Sequence, residues 1–247
     1  MLSVAGLPQR TGLPLDRLLG HHGTSANSNG DFFLGLLLPR LYVILDAGAI
    51  QGPIQAVAGQ LLDAGVRLLQ YRGKNVAARD MLQTSRALAG MVRERGATFF
   101  VNDRPDVAWL AGADGVHVGQ DDLSVEQARS LVGQGRWVGV STHNLQQFRE
   151  AAATSADYIA IGPIFQTSSK ANPDPVVGTE MIRQVRKLTD KPIVAIGGIR
   201  LENAAEVFQA GADSTAVIRD IVSDLDPGAR ARQFLEKLAA IAKPGGD

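Results

Sequence analysis

The chain contains no cysteine. That absence excludes disulfides, thiolate zinc sites and a cysteine nucleophile. Only four histidines are present, scattered along the sequence, which argues against an all-histidine metal site. Neither sign of charge is in excess. Lys+Arg and Asp+Glu stand at 25 each, so no global field draws the protein to nucleic acid or to an anionic membrane. Long apolar runs are also missing. The longest such stretch, FFLGLLL at residues 32–38, falls far short of the roughly 20 residues a spanning helix needs. Small-molecule partners in the cytoplasm are therefore expected, with no nucleic acid and no membrane. Self-association into a homo-oligomer stays open at this point.

What is present is enough apolar sequence, 45% of 247 residues, for one large core. Residues 1–40 stand apart. They mix Pro, Gly, Ser and Asn without sustained periodicity, and they lack the basic segment and long apolar run of a secretion signal. They are read as a disordered N-terminal extension, with a misassigned start codon as the alternative. The folded domain is expected over residues 41–243.

Within that domain a phrase recurs: AGADGVHVG (111–119), SADYIAIGP (155–163) and AGADSTAVI (210–218), with DAGVRLLQY (63–71) as a looser relative. Each sets a small-residue turn, suited to ending a helix, before a short run suited to a strand buried on both faces. Runs of the same kind begin at Leu41, Val66, Thr98, Gly115, Trp137, Tyr158, Pro192 and Ser214. Between them lie helical patterns such as PIQAVAGQLLDAG and LQQFREAAATS. Eight alternating units predict a single (β/α)8 TIM barrel, with a doubly wound open sheet as the alternative.

In a barrel, polar residues that end strands converge on one mouth. Strand two ends with Gln70, Arg72 and Lys74, and strand three with Asn102 and Asp103. Asp121 and Asp122 follow strand four, and Ser141, Thr142, His143 and Asn144 close strand five. Strand six opens into a loop carrying Thr167, Ser168, Ser169 and Lys170, and strand seven ends at Gly197 and Gly198. Concentrated Arg and Lys suit a polyanion, while neighbouring carboxylates suit a hard divalent cation such as Mg²⁺ shared with substrate phosphates. The paired glycines and the turn after strand eight suit a second phosphate. Other readings compete. Asp121 fits a solvated residue or a helix cap, His117 an interior hydrogen-bonded histidine, and His143 either a mouth residue or a loop anchor.

The motifs QYRGK, VND, GADGVHVGQDD, GVSTHN, DYIAIGPIFQTSSK, AIGGI and AGADSTAVI, in that order, resemble the thiamine-phosphate synthase family. The resemblance runs from Leu41 to about Lys243. It implies condensation of an aminopyrimidine diphosphate with a thiazole phosphate, releasing pyrophosphate. By similarity Gln70, Tyr71, Arg72, Gly73, Lys74 and Asn102 hold the pyrimidine diphosphate. Asp103 and Asp122 bind Mg²⁺, and Ser141 and Lys170 contact the diphosphate or pyrimidine. Thr167, Ser168, Ser169, Gly198, Ile218 and Arg219 surround the thiazole phosphate. Arg72, Lys74, Lys170 and Ser141 are the residues expected to carry catalysis. Ser169 stands where Thr is common, and Arg219 where Ser is frequent. A thiazole tautomerase of the same fold and a non-catalytic protein binding phosphorylated metabolites are the competing functions.

Overall fold

The computed structural model describes residues 25–26, 32–33, 38–167 and 174–241. In the N-terminal unit, residues 1–37, a short antiparallel ladder pairs Ser25–Ala26 with Phe32–Phe33. The remainder of the extension expected to be disordered, up to residue 37, lies outside the described residues.

From Leu38 onward the chain alternates strand and helix. The order is β1 (Leu41–Asp46), α1 (Ile54–Asp63), β2 (Leu68–Arg72), α2 (Ala78–Glu94), β3 (Thr98–Asn102), α3 (Pro105–Ala111), β4 (Gly115–Val118) and α4 (Val125–Val132). It continues with β5 (Trp137–Thr142), α5 (Leu145–Ala152), β6 (Tyr158–Ile161), α6 (Gly178–Arg186), β7 (Ile193–Ile196), α7 (Ala204–Gln209), β8 (Ser214–Val217), α8 (Arg219–Val222) and α9 (Pro227–Ala239). Neighbouring strands are all parallel, and β8 pairs with both β7 and β1, so the sheet closes as a (β/α)8 barrel rather than lying open.

The strands form because Val-, Ile- and Leu-rich segments have apolar neighbours on both faces. Every residue of β1 is buried, as is every residue of β4, β6 and β8. The helices bury one stripe each. In α2 it is Met81, Ser85, Leu88, Ala89 and Val92, at helical spacing over the outer face of the strands. Gly112 ends α3 in the left-handed conformation (φ 69°). At α4 the cap is Ser124, in a reciprocal capping box with Gln127, so neither Asp121 nor Asp122 serves there.

The recurring phrase has a structural task at the end of the barrel opposite the mouth. The Asp114 N–H donates to the Phe99 carbonyl at 2.9 Å while its carboxylate accepts from the Phe99 N–H at 2.9 Å. Asp157 does the same to Val138 and Asp213 to Ile193, with carboxylate contacts of 2.7 and 2.8 Å. Each aspartate thus clamps the start of an even-numbered strand to the strand before it. In the looser relative the corresponding place is taken by Arg67, whose backbone carbonyl accepts from the Thr98 N–H at 2.9 Å.

Two strand glycines make room inside the barrel. A Cβ on Gly115 would overlap the Phe100 ring, and one on Gly139 would overlap the Tyr158 ring. The two rings meet edge to face with centroids 5.6 Å apart, and Tyr42 packs against both. Small and large residues alternate here because the interior of an eight-stranded barrel is only wide enough for side chains. Gly139→Ala is expected to destabilise the fold by about 1–3 kcal/mol through overpacking. The measurement is a lowered urea midpoint with an unchanged slope.

Candidate active site

All eight strands send residues into a cavity of ≈ 630 Å³ at the C-terminal mouth, from Tyr42 and Ile44 on β1 to Ala216 on β8. Of the residues expected from sequence, Gln70, Arg72, Lys74, Asn102, Asp103, Asp122, Ser141, Thr167, Gly198, Ile218 and Arg219 line it. Tyr71 and Gly73 do not. Strand alternation turns Gln70 and Arg72 inward and Tyr71 outward, into the helix-facing core with Met81 and Leu88. Ser168, Ser169 and Lys170 lie outside the described residues.

The carboxyl groups of Asp103 and Asp122 face one another. Asp103 is pushed up to about 7, first by burial and then by the hydrogen bond and charge of Asp122, with Lys74 and Arg72 pulling the other way. Its backbone is held in the left-handed region (φ 62°), and its N–H donates to the His117 carbonyl at 2.8 Å. A non-glycine residue kept in that conformation directly after a strand marks a place where geometry is set by the surroundings. Asp122 closes its own turn, accepting from the Gly119 N–H at 2.7 Å. Lys74 Nζ stands 3.9 Å from Asp103 Oδ2.

Arg72 is anchored from the side by Asp46, the last residue of β1 and its register partner. The other Asp46 oxygen accepts from the Gly48 N–H at 2.8 Å, and the carboxylate is mostly buried. His143 Nδ1 lies 2.6 Å from the Gly162 carbonyl and 3.6 Å from Asp174 Oδ2, so its ring joins the loops after β5 and β6. Beneath the mouth, His117 sits between the Tyr158 hydroxyl (2.9 Å) and the Ser141 hydroxyl (2.8 Å), and burial drives it down to about 4. The ring is therefore neutral at physiological pH.

On the far side of the mouth, Gly197 (φ 96°) and Gly198 (φ 67°) bring the loop after β7 against the loop after β6. A Cβ on Gly197 would strike Pro163, and one on Gly198 the backbone of Phe165 and Gln166, so only glycine allows this approach. Ile218 and Arg219 follow at the start of α8, and both line the same cavity.

Several residues at the mouth escaped the sequence reading: Tyr42, Ile44, Gln120, Gln147, Arg200, Glu202 and Asp220 line the cavity, and Asp46 and Tyr158 contact residues that do. The i, i+2 spacing applied to strand two would have found Tyr42, Ile44 and Asp46 in LYVILD.

A parallel barrel whose mouth gathers Arg72, Lys74 and facing carboxyls has the layout of an enzyme acting on small molecules. Comparison with known proteins narrows the class. The chain belongs to the thiamine monophosphate synthase family, whose model matches residues 41–221. A thiamine-phosphate synthase of Koribacter versatilis (strain Ellin345) is 52% identical over 210 residues, covering 83% of this chain and 98% of that relative. One of Chloroflexus aurantiacus is 44% identical over 196 residues, covering 79% and 90%. Among solved structures, a thiamine phosphate pyrophosphorylase from Pyrococcus furiosus superposes with TM-score 0.75 at 32% identity, covering 82% of this chain and 96% of that one.

The Asp46–Arg72 pair yields an expectation separate from chemistry. Asp46→Ala leaves a mostly buried guanidinium without its anchor and should cost about 1–3 kcal/mol of stability. Thermal unfolding measures it, and an unchanged midpoint would show the pair to be energetically idle.

Proposed function

We propose that this protein is a thiamine-phosphate synthase, joining an aminopyrimidine methyl diphosphate to a thiazole phosphate with release of pyrophosphate. The observation that carries the reading is the coexistence, in one cavity, of the cationic Arg72 and Lys74, the facing Asp103 and Asp122, and the paired Gly197 and Gly198 at the far side. One substrate brings a diphosphate and the other a phosphate, so two anion-holding regions are required.

In this reading the carbon–oxygen bond between the pyrimidine methylene and the diphosphate breaks first, its electron pair leaving with pyrophosphate. The ring amino group stabilises the resulting cation, and the thiazole nitrogen lone pair then forms the new carbon–nitrogen bond. No protein nucleophile is needed. Arg72, Lys74 and Lys170 stabilise charge gathering on the leaving group, Ser141 and Gln70 hold the pyrimidine, and Asn102 holds the diphosphate. The apolar wall supplied by Ile44, Val194 and Ile196 keeps water from the cation. Thr167, Ser168, Ser169, Gly198, Ile218 and Arg219 receive the thiazole phosphate.

Asp103 and Asp122 fit a Mg²⁺ ion. Their oxygens are the hard donors it prefers, and two like-charged carboxyls set face to face are poised for a shared cation. Among the described residues no cluster of three or more His, Cys, Asp or Glu offers a ready-made cage, which suits an ion that completes its shell with water and substrate phosphate oxygens. When bound, the ion supplies Lewis-acid stabilisation of the departing pyrophosphate. No helix among the described residues is long and apolar enough to cross a membrane, and a cytoplasmic setting belongs to the same reading.

Incubating the protein with both substrates and Mg²⁺ should yield thiamine phosphate and pyrophosphate in equal amounts, and chelation should abolish both. A tautomerase would release no pyrophosphate, and a sensor would bind without turnover. Lys170→Ala should lower turnover by about 10²–10³ with an unaltered circular dichroism spectrum, the scale for losing one preorganised charge-stabilising contact. Near-normal turnover would remove Lys170 from the machinery.

A further inference from the structure

At the far side of the mouth the charge is mixed. Arg200 and Arg219 line the cavity together with Gly198, and so do the acids Glu202 and Asp220. Two positive and two negative side chains cancel, yet this region is read above as receiving the phosphate of the thiazole. A carboxylate close to a phosphate opposes its binding unless a cation compensates it.

That cation is Arg230 of α9, which does not itself line the cavity. One of its guanidinium nitrogens reaches both Asp220 oxygens, at 3.0 and 2.9 Å, and Glu202 Oε1 at 3.3 Å. The other terminal nitrogen donates to Gln233 at 3.1 Å, and the guanidinium lies 5.8 Å from the centroid of the buried Phe234 ring. Among the described residues Arg230 is the only cation paired with Asp220. The Arg230 and Asp220 side chains are 19% and 18% exposed, so water screens that pair little, whereas Glu202 at 71% matters less. Arg230 Nε is buried and finds no partner among the described residues. A guanidinium kept in place with an idle N–H is poorly explained by stability alone.

The acid cannot simply be dispensed with, because it ties two loops together. Asp220 Oδ2 also accepts from the Leu201 N–H at 2.9 Å, joining the start of α8 to the loop after β7. Within that loop Asn203 accepts from the Arg200 N–H at 2.8 Å and donates to the Gly198 carbonyl at 3.1 Å. Lys237, about two turns further along α9, donates to the Glu202 carbonyl at 3.1 Å.

We propose that Arg230 is a positioning residue for the phosphorylated substrate: from outside the cavity it cancels the charge of Asp220, so that this carboxylate braces the loop after β7 without repelling a phosphate at Gly198 and Arg219. The identity of that substrate rests on the synthase reading.

Arg230→Met keeps an unbranched apolar stem over Phe234 and removes the cation. Expected is a rise of about tenfold in KM for the thiazole phosphate, the scale for one uncompensated charge in a partly desolvated mouth, with KM for the pyrimidine diphosphate unchanged. Asp220→Asn retains an oxygen for the Leu201 N–H and should lower KM for the thiazole phosphate about threefold. In the Asp220→Asn background Arg230→Met should raise it by less than about threefold, because no carboxylate is left to cancel. A merely structural Arg230 predicts equal rises in both backgrounds, or for both substrates, and either result would overturn the proposal. If Arg230→Met does not fold, Asp220→Asn decides alone, and a raised or unaltered KM overturns it. Calorimetric titration with thiazole phosphate, in the absence of the pyrimidine, separates this role from the synthase reading. A wild type that releases no pyrophosphate sinks that reading, while a matching loss of thiazole phosphate affinity in Arg230→Met still upholds the role of Arg230.

Discussion

The pairing of β8 with β1 is the constraint on which the remaining order depends. Once Thr215, Ala216 and Val217 meet Leu41, Tyr42 and Val43, the barrel sheet has no edge left, and each of its strands must present alternate residues to a closed interior. Parallel pairing all round the ring points all eight C-terminal ends the same way. Residues as distant in sequence as Arg72 and Arg219 then share one cavity, and the interior beneath it has to be filled by side chains rather than by water. Gly115 and Gly139 answer that demand by yielding space to Phe100 and Tyr158.

Charge at the mouth is arranged around a conflict. Burial first, and the facing Asp122 second, displace Asp103 upward, and the cationic Lys74 and Arg72 nearby only partly offset this. Arg72 meanwhile is held by Asp46, its partner on the adjacent strand, so its remaining donors keep a fixed bearing. Such preset charges need little rearrangement when a charged group departs, which is the main economy an enzyme of this kind can exercise.

The barrel was legible in the sequence because its strands are short apolar runs introduced by small-residue turns, and eight of them alternate with helical patterns. The mouth was legible because strand ends are positions, not compositions. Asn102, Asp103 and Asp122 could be placed without any coordinate. Legibility failed where the answer depends on direction or on distant contacts. Tyr71 sits between two inward residues and so must turn outward, a consequence of alternation that motif matching overrides. The Ser124 cap is written in the spacing of Ser124 and Gln127, although Asp121 and Asp122 just before it are residue types equally suited to capping. The Tyr42–Tyr158 bond joins residues 116 apart in sequence, and no local pattern announces it.

The aspartate clamps at the far end have a consequence for how such a barrel can arise and change. They lock β3 to β4, β5 to β6 and β7 to β8, so the repeat counts in twos around the ring. A piece of two strands and two helices carries within itself the contact that aligns its own pair. Register is thus stored module by module, on the face remote from the cavity. A structure with that layout can be extended or copied at whole-module joints, while the loops at the opposite face drift toward new substrates without misaligning a single strand.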